Sequence, residues 1–172
     1  LRLSEILDYI LYRCEAKRVT LSEEINNLKN YIEIEKIRYS EKLKLHLDFP
    51  THSNNLKIAP LIILPFVENA FKHSYSVQGE DVSIGIRINQ AGNSLYFACQ
   101  NTLPSDATSS VPDPSYSGIG VKNIRARLSY SYPDKHQLKI TNDGQHFLVE
   151  LTLEDDFLRI LIIRKNLILD LV

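Results

Sequence analysis

A chain of 172 residues, 44% hydrophobic, with 20 Lys and Arg against 21 Asp and Glu and a formal net charge of −1, is long enough for one domain plus an appendage and can bury a real core. That balance offers no basic surface of the kind nucleic acid or an anionic membrane selects, and no stretch reaches the roughly 18 uncharged apolar residues of a membrane-spanning helix. The two cysteines, Cys14 and Cys99, have no metal-ligand or redox spacing, so they read as small core residues in a reducing, cytosolic setting.

Residues 1 to about 15 carry Leu3, Ile6, Leu7, Ile10, Leu11 and Cys14 at three-and-four spacing, which predicts an amphipathic helix with one face to bury. Leu1 opens straight into this pattern with no signal peptide, so we expect the chain to begin within a longer protein. Thr20 followed by Glu23 has the form of a capping box, and Ile25, Leu28, Ile32, Glu35 and Tyr39 mark one face of a second helix. The period then changes. Leu43, Leu45, Leu47 and Phe49 alternate with Lys44, His46 and Asp48 up to Pro50, which predicts a half-buried strand with His46 toward solvent. A polar loop, Thr51 to Asn55, leads to the central helix.

That helix belongs to Pro60-Leu-Ile-Ile-Leu-Pro-Phe-Val-Glu-Asn-Ala-Phe-Lys-His-Ser74. The prolines lack backbone donors, so the helix is predicted to start between them, with Pro65 in its first turn. Phe66, Val67, Ala70 and Phe71 face a core, while Asn69, Lys72 and His73 share or border a second face. An amide, an ammonium and an imidazole side by side suit a metal-bound polyphosphate. The same spacing also fits a solvated face on which Glu68 and Lys72 form an ordinary ion pair.

Val82, Ile84, Ile86 and Ile88 alternate with polar residues, and Leu95, Phe97 and Cys99 answer them across Gln90-Ala-Gly-Asn93, which predicts a hairpin. Gln100 to Ser117 is rich in Ser, Pro, Thr and Asp without periodicity, a length that fits a lid or binding loop. It closes on Ser117-Gly-Ile-Gly120 and passes into a helix carrying Val121, Ile124 and Leu128. Residues 137–141 and 146–153 predict a second hairpin around Asn142-Asp-Gly-Gln145. The tail, Phe157 to Val172, is mostly Leu and Ile but too charged to span a bilayer; a packing helix, an oligomer contact and an artefact of the sequence's end all fit it. The order of elements implies an α+β two-layer sandwich, its mixed or antiparallel sheet covered by helices on one face.

Gly118-Ile-Gly120 at a helix start can cradle phosphate, because small residues let it approach and the first-turn amides favour negative charge. It equally fits a turn that needs unusual backbone angles. Asn123, Arg125 and Arg127 follow on that helix, within reach of a ligand or simply solvated.

Leu64-Pro-Phe-Val-Glu-Asn-Ala-Phe-Lys-His73 resembles the N box, and Gly118-Ile-Gly-Val-Lys-Asn-Ile-Arg-Ala-Arg-Leu128 the second glycine box, of sensor histidine kinases of the autolysis-regulator (LytS-like) branch. The segment from Leu21 to Tyr39 resembles the connector before the ATP-binding domain in that branch, so the resemblance covers roughly residues 1–153. It implies the Bergerat-type (GHKL) fold, with residues 1–40 as the end of a dimerisation helix and its connector, 41–153 as the ATP-binding domain and 154–172 as a tail. The implied ligands are ATP and Mg²⁺. Asn69 would hold the ion and act with Lys72 and His73 as the catalytic set, these two contacting phosphate oxygens. Gly118, Ile119, Gly120 and Asn123 would line the phosphates, and about residues 103–117 would form the lid. The resemblance further implies a homodimeric, membrane-anchored sensor in full length, with this part in the cytoplasm and a response regulator as partner.

Two positions depart from the branch's pattern. Its Asp-x-Gly-x-Gly, whose carboxylate accepts from the adenine amino group, is replaced here by Gln100-Asn-Thr-Leu-Pro104, so the acceptor would be the amide of Asn101 or, failing that, Gln100. Its phosphoacceptor motif His-Phe-x-Phe-Asn surrounds none of His46, His52, His73, His136 or His146, which places the accepting histidine outside this chain. Two further functions compete with the kinase. One is a water-activating ATPase of the same fold, against which Pro65 occupies the position of that group's Glu. The other is a degenerate domain serving as an interaction module, favoured by the altered first glycine box.

Overall fold

The computed structural model describes residues 16–39, 43–51, 55–74, 82–103 and 119–154. The fold begins at Thr20, where the expected capping box forms. Thr20 Oγ1 accepts from the Glu23 amide at 3.2 Å, and Glu23 Oε2 accepts from the Thr20 amide and hydroxyl at 2.8 Å each. Helix α1, Leu21–Tyr39, follows and buries Leu21, Ile25, Leu28, Ile32 and Glu35. It also buries Glu24, whose carboxylate accepts from the Ile62 amide at 3.1 Å, a polar tether that hydrophobic spacing cannot signal.

Ahead of α1 lies strand β1, Val19–Thr20, and β2 is Leu43–Asp48. Strand β3, Lys57–Ile58, pairs antiparallel with β1 in a separate two-stranded ribbon. The sequence showed only a loop running from Thr51 to the helix. A strand of two residues is too short to display alternation, and its partner is remote in sequence.

Helix α2, Leu64–Ser74, carries Pro65 in its first turn as expected and buries Leu64, Phe66, Val67, Ala70 and Phe71. Phe71 meets the rings of Tyr31 and Tyr39 edge-on at 5.9 and 5.7 Å, which locks α2 to α1. On its other side Phe66 lies 5.8 Å from Phe97 of the sheet.

The remaining elements are β4 (Val82–Ala91), β5 (Ser94–Thr102), α3 (Ile119–Ser131), β6 (His136–Asn142) and β7 (His146–Glu154). The main sheet runs β2-β4-β5-β7-β6, with β2 and β4 parallel and every other neighbour antiparallel. Both expected hairpins are present, each turning on a glycine in the left-handed region, Gly92 at φ 59° and Gly144 at φ 86°. Register aligns apolar rows across the sheet, such as Ile86, Cys99 and Val149, and these rows face the helices. The other face carries the intervening polar residues and is uncovered among the described residues. One core joins α1, α2, α3 and the sheet. Cys99 is part of it, and burial pushes its thiol up to about 12. The α+β class expected from the sequence, a mixed sheet covered by helices on one face, is the one observed. The helix expected over residues 1–15, with Cys14, the lid residues from 104 to 117, Gly118 and the tail from 155 lie outside the described residues.

Candidate functional site

The first turns of α2 stand opposite α3 across a cleft of about 270 Å³. Its α2 wall is Pro65, Glu68 and Asn69, continued by Leu61 and Ile62 from the preceding loop; its α3 wall is Asn123, Ile124 and Arg127. The cause is helical periodicity: α3 buries Ile124 and Leu128 against the core, which leaves Asn123 and Arg127 along the margin of that stripe. On α2 the buried Phe66, Val67 and Ala70 likewise leave Asn69 half-buried at the rim.

Of the residues the sequence put forward, the structure brings Asn69, Asn123 and Arg127 to this cleft. Lys72 is exposed and His73 half-buried one turn further along α2, and neither lines it. Ile119 and Gly120 are the first residues of α3, so that helix start lies one turn from Asn123. Strand β5 runs past Cys99 to Thr102, which places Asn101 inside the strand rather than after it. Asn101 is 1% exposed, stands in a row between Ile84 and Phe147, and donates from Nδ2 to the Thr102 carbonyl at 3.0 Å. An amide in an otherwise apolar row on the helix-covered face is an unusual placement. Gln100, the alternative acceptor, points the other way and lines a broader hollow of about 620 Å³ on the open sheet face. That hollow is walled by residues of β2, β4, β5 and β7, among them the exposed Asp48 and Arg87 ion pair, and by none of the other candidates. Its greater size therefore counts for less than the chemistry gathered at the smaller cleft.

The expected pairing of Glu68 with Lys72 is not among the ion pairs of the described residues. Glu68 instead lies near Glu35 of α1, and its carboxyl is raised above the usual range, first by partial burial and then by Glu35. Glu35 is itself gripped by Arg38 through both carboxylate oxygens at 3.1 Å. Burial, reinforced by Glu35 and Glu68, also holds the Tyr31 phenol well above its ordinary value.

Sequence reasoning left Arg127 undecided between ligand and solvent. Its Nη2 donates to the Pro60 carbonyl at 2.6 Å, joining α3 to the loop ahead of α2. The next residue, Leu61, holds φ at 52°, a left-handed backbone that leucine rarely adopts. No residue pattern marks a side chain whose partner is a main-chain oxygen 67 positions away.

Comparison with known proteins bears on what this cleft serves. A family model described as histidine kinase matches residues 1–43. The sequence is 26% identical over 155 residues to the sensor protein kinase HptS of Staphylococcus aureus, a match covering 83% of this chain and 29% of that protein. In sequence the chain is thus similar to sensor histidine kinases. It spans less than a third of the length of the curated relatives it matches. Solved histidine-kinase structures share its architecture. The catalytic domain of histidine kinase ThkA, in a nucleotide-free form, superposes with a TM-score of 0.55 at 13% identity, covering 80% of this chain and 93% of that one. Histidine kinase AdeS of Acinetobacter baumannii gives 0.56 at 12% identity over 90% and 76%. At such identities the likeness is one of fold.

Proposed function

We propose that this chain is the ATP-binding part of a sensor histidine kinase, which binds Mg·ATP at the cleft between α2 and α3 and presents the γ-phosphoryl group to a histidine on a dimerisation helix hairpin outside this chain. The observation that carries the reading is the convergence of Asn69 and Asn123 on one cleft, next to the start of α3, in a fold shared with histidine-kinase catalytic domains. The donor set suits magnesium. The Asn69 amide oxygen and the neighbouring Glu68 carboxylate are hard oxygens on one wall, and Mg²⁺ takes one or two such protein ligands and fills its shell with water and phosphate. When bound, the ion would neutralise charge on the phosphates. The chain's own residues do the positioning: the first amides of α3 donate to phosphate oxygens, Lys72 and His73 reach them from the next turn of α2, and Asn101 accepts from the adenine amino group. In the full-length protein we place this part in the cytoplasm of a membrane-anchored homodimer that signals to a response regulator.

The test is transfer of labelled γ-phosphate. The chain alone should bind Mg·ATP without labelling itself, and adding the helix hairpin as a dimeric fragment should yield label on that fragment's histidine in acid-labile, base-stable form. Stable phosphate on this chain by itself, or steady ATP hydrolysis abolished by Glu68→Gln, would overturn the assignment in favour of an ATPase.

A further inference from the structure

We propose that Arg127 is a positioning residue for the nucleotide, acting through the Pro60-Leu61 main chain: its guanidinium holds that peptide in a conformation leucine does not keep unaided, and so sets the spacing between the two walls of the cleft. The inference rests on the reading of the cleft as a nucleotide site.

The loop from Ala59 to Ile63 is held from three directions. The Ala59 amide donates to the Tyr132 hydroxyl at 2.7 Å, the Pro60 carbonyl accepts from Arg127 Nη2 at 2.6 Å, and the Ile62 amide donates to the buried Glu24 carboxylate at 3.1 Å. Leu61, at the centre of these contacts, is the residue with φ at 52°. Two of the three tethers come from α3 or the residue directly after it, so this loop is bound to the same helix that forms the opposite cleft wall. Left-handed backbone at a leucine persists only where its surroundings over-determine it. Among the three tethers, the Arg127 bond is the one whose side chain also lines the cleft. Its removal leaves the Pro60 carbonyl without this donor and lets Leu61 relax toward ordinary φ, which shifts Leu61 and the start of α2 relative to Asn123. A guanidinium spent on a main-chain oxygen in this way is a different device from an arginine that binds phosphate, and the two predict opposite responses to a glycine at 61.

The experiment is a double-mutant cycle with a backbone readout. Amide hydrogen exchange over residues 56–63, measured without nucleotide, should quicken in Arg127→Ala. Affinity for Mg·ATP by calorimetry should fall about tenfold, the factor that corresponds to release of one left-handed strain. Leu61→Gly accepts positive φ at no steric cost. In that background Arg127→Ala should therefore change affinity by no more than about threefold, whereas in Leu61→Ala, which trims the side chain but keeps the strain, the full loss should persist. A tenfold loss that glycine does not rescue, with exchange unchanged over residues 56–63, would show that Arg127 touches the ligand directly and overturn the proposal. Parent-like affinity in Arg127→Ala would overturn it as well. If the parent protein binds no Mg·ATP at millimolar concentration, the nucleotide reading fails, and the exchange comparison still decides whether Arg127 holds the loop. Should Arg127→Ala alone not fold, the comparison of Leu61→Gly with Leu61→Gly/Arg127→Ala decides the same question.

Discussion

Replacing Asn69 by alanine separates the site from the scaffold, because the residue sits half-buried at the cleft rim and off the apolar stripe of α2. Its share of packing is small, and alanine is the better helix former by roughly 0.5 kcal/mol. Stability should therefore change by no more than about 0.5 kcal/mol, or about 1–2 °C in melting temperature for a domain of this size. Binding should suffer far more. Loss of one amide oxygen directed at a charged group costs about 1.5–3 kcal/mol, which is roughly a 10- to 150-fold rise in Kd. Calorimetric titration with Mg·ATP beside a thermal melt of the ligand-free protein measures both quantities. Parent-like affinity in a variant that melts several degrees lower would make Asn69 a structural residue and remove the carrying observation for the proposed function.

Two other substitutions test neighbouring groups. Asn101→Asp would restore the carboxylate of the related pattern at a position only 1% exposed; Mg·ATP binding should be kept or tightened, while the ligand-free protein melts lower at pH 7 and recovers as pH falls, since burial raises the new carboxyl's folded pKa. Lost affinity with no melting penalty would contradict this. Because Glu68 is raised above its ordinary 4.5, the folded state prefers its protonated form; that contribution is fully present below about 4.5 and is lost as pH rises through the raised value. Glu68→Gln should therefore melt like the parent near pH 4 and above it at pH 7, and the reverse order would refute the electrostatic reading.

How far the chain could be read from its residues follows from the kind of interaction involved. Hydrophobic periodicity is a property of one segment, so the helices at Leu21–Tyr39, Leu64–Ser74 and Ile119–Ser131 and both hairpins were legible. The candidates Asn69 and Asn123, which line one cleft, stood out for a related reason, as polar groups beside an apolar stripe. What stayed hidden depends on partners remote in sequence: the two-residue ribbon of β1 and β3, the Glu24 tether to Ile62, and the Arg127 bond to Pro60. The facing of Gln100 and Asn101 was open because the loss of apolar alternation after Cys99 suggests an earlier end to β5; pairing with β4 and β7 continues through the amide.

Helix α3 shows why these remote contacts matter for the cleft. Its cleft-side margin is set by Asn123 and Arg127, while its far end is fixed by a cluster around Tyr132: the Arg18 guanidinium lies 4.3 Å over the Tyr132 ring and donates to the Ser131 carbonyl at 2.9 Å, and the phenol accepts from the Ala59 amide. Tyr132 is 2% exposed, so an Ala59 amide left without this acceptor would carry a desolvation cost of about 1–3 kcal/mol. Sliding α3 along the sheet would stretch this bond and the Arg127 bond together, since both end on adjacent residues of one loop. The anchors at Ala59 and Pro60 thus join the two walls of the cleft through α3 and the residue after it, and the Arg18 bond ties the far end of that helix to the segment that leads into α1.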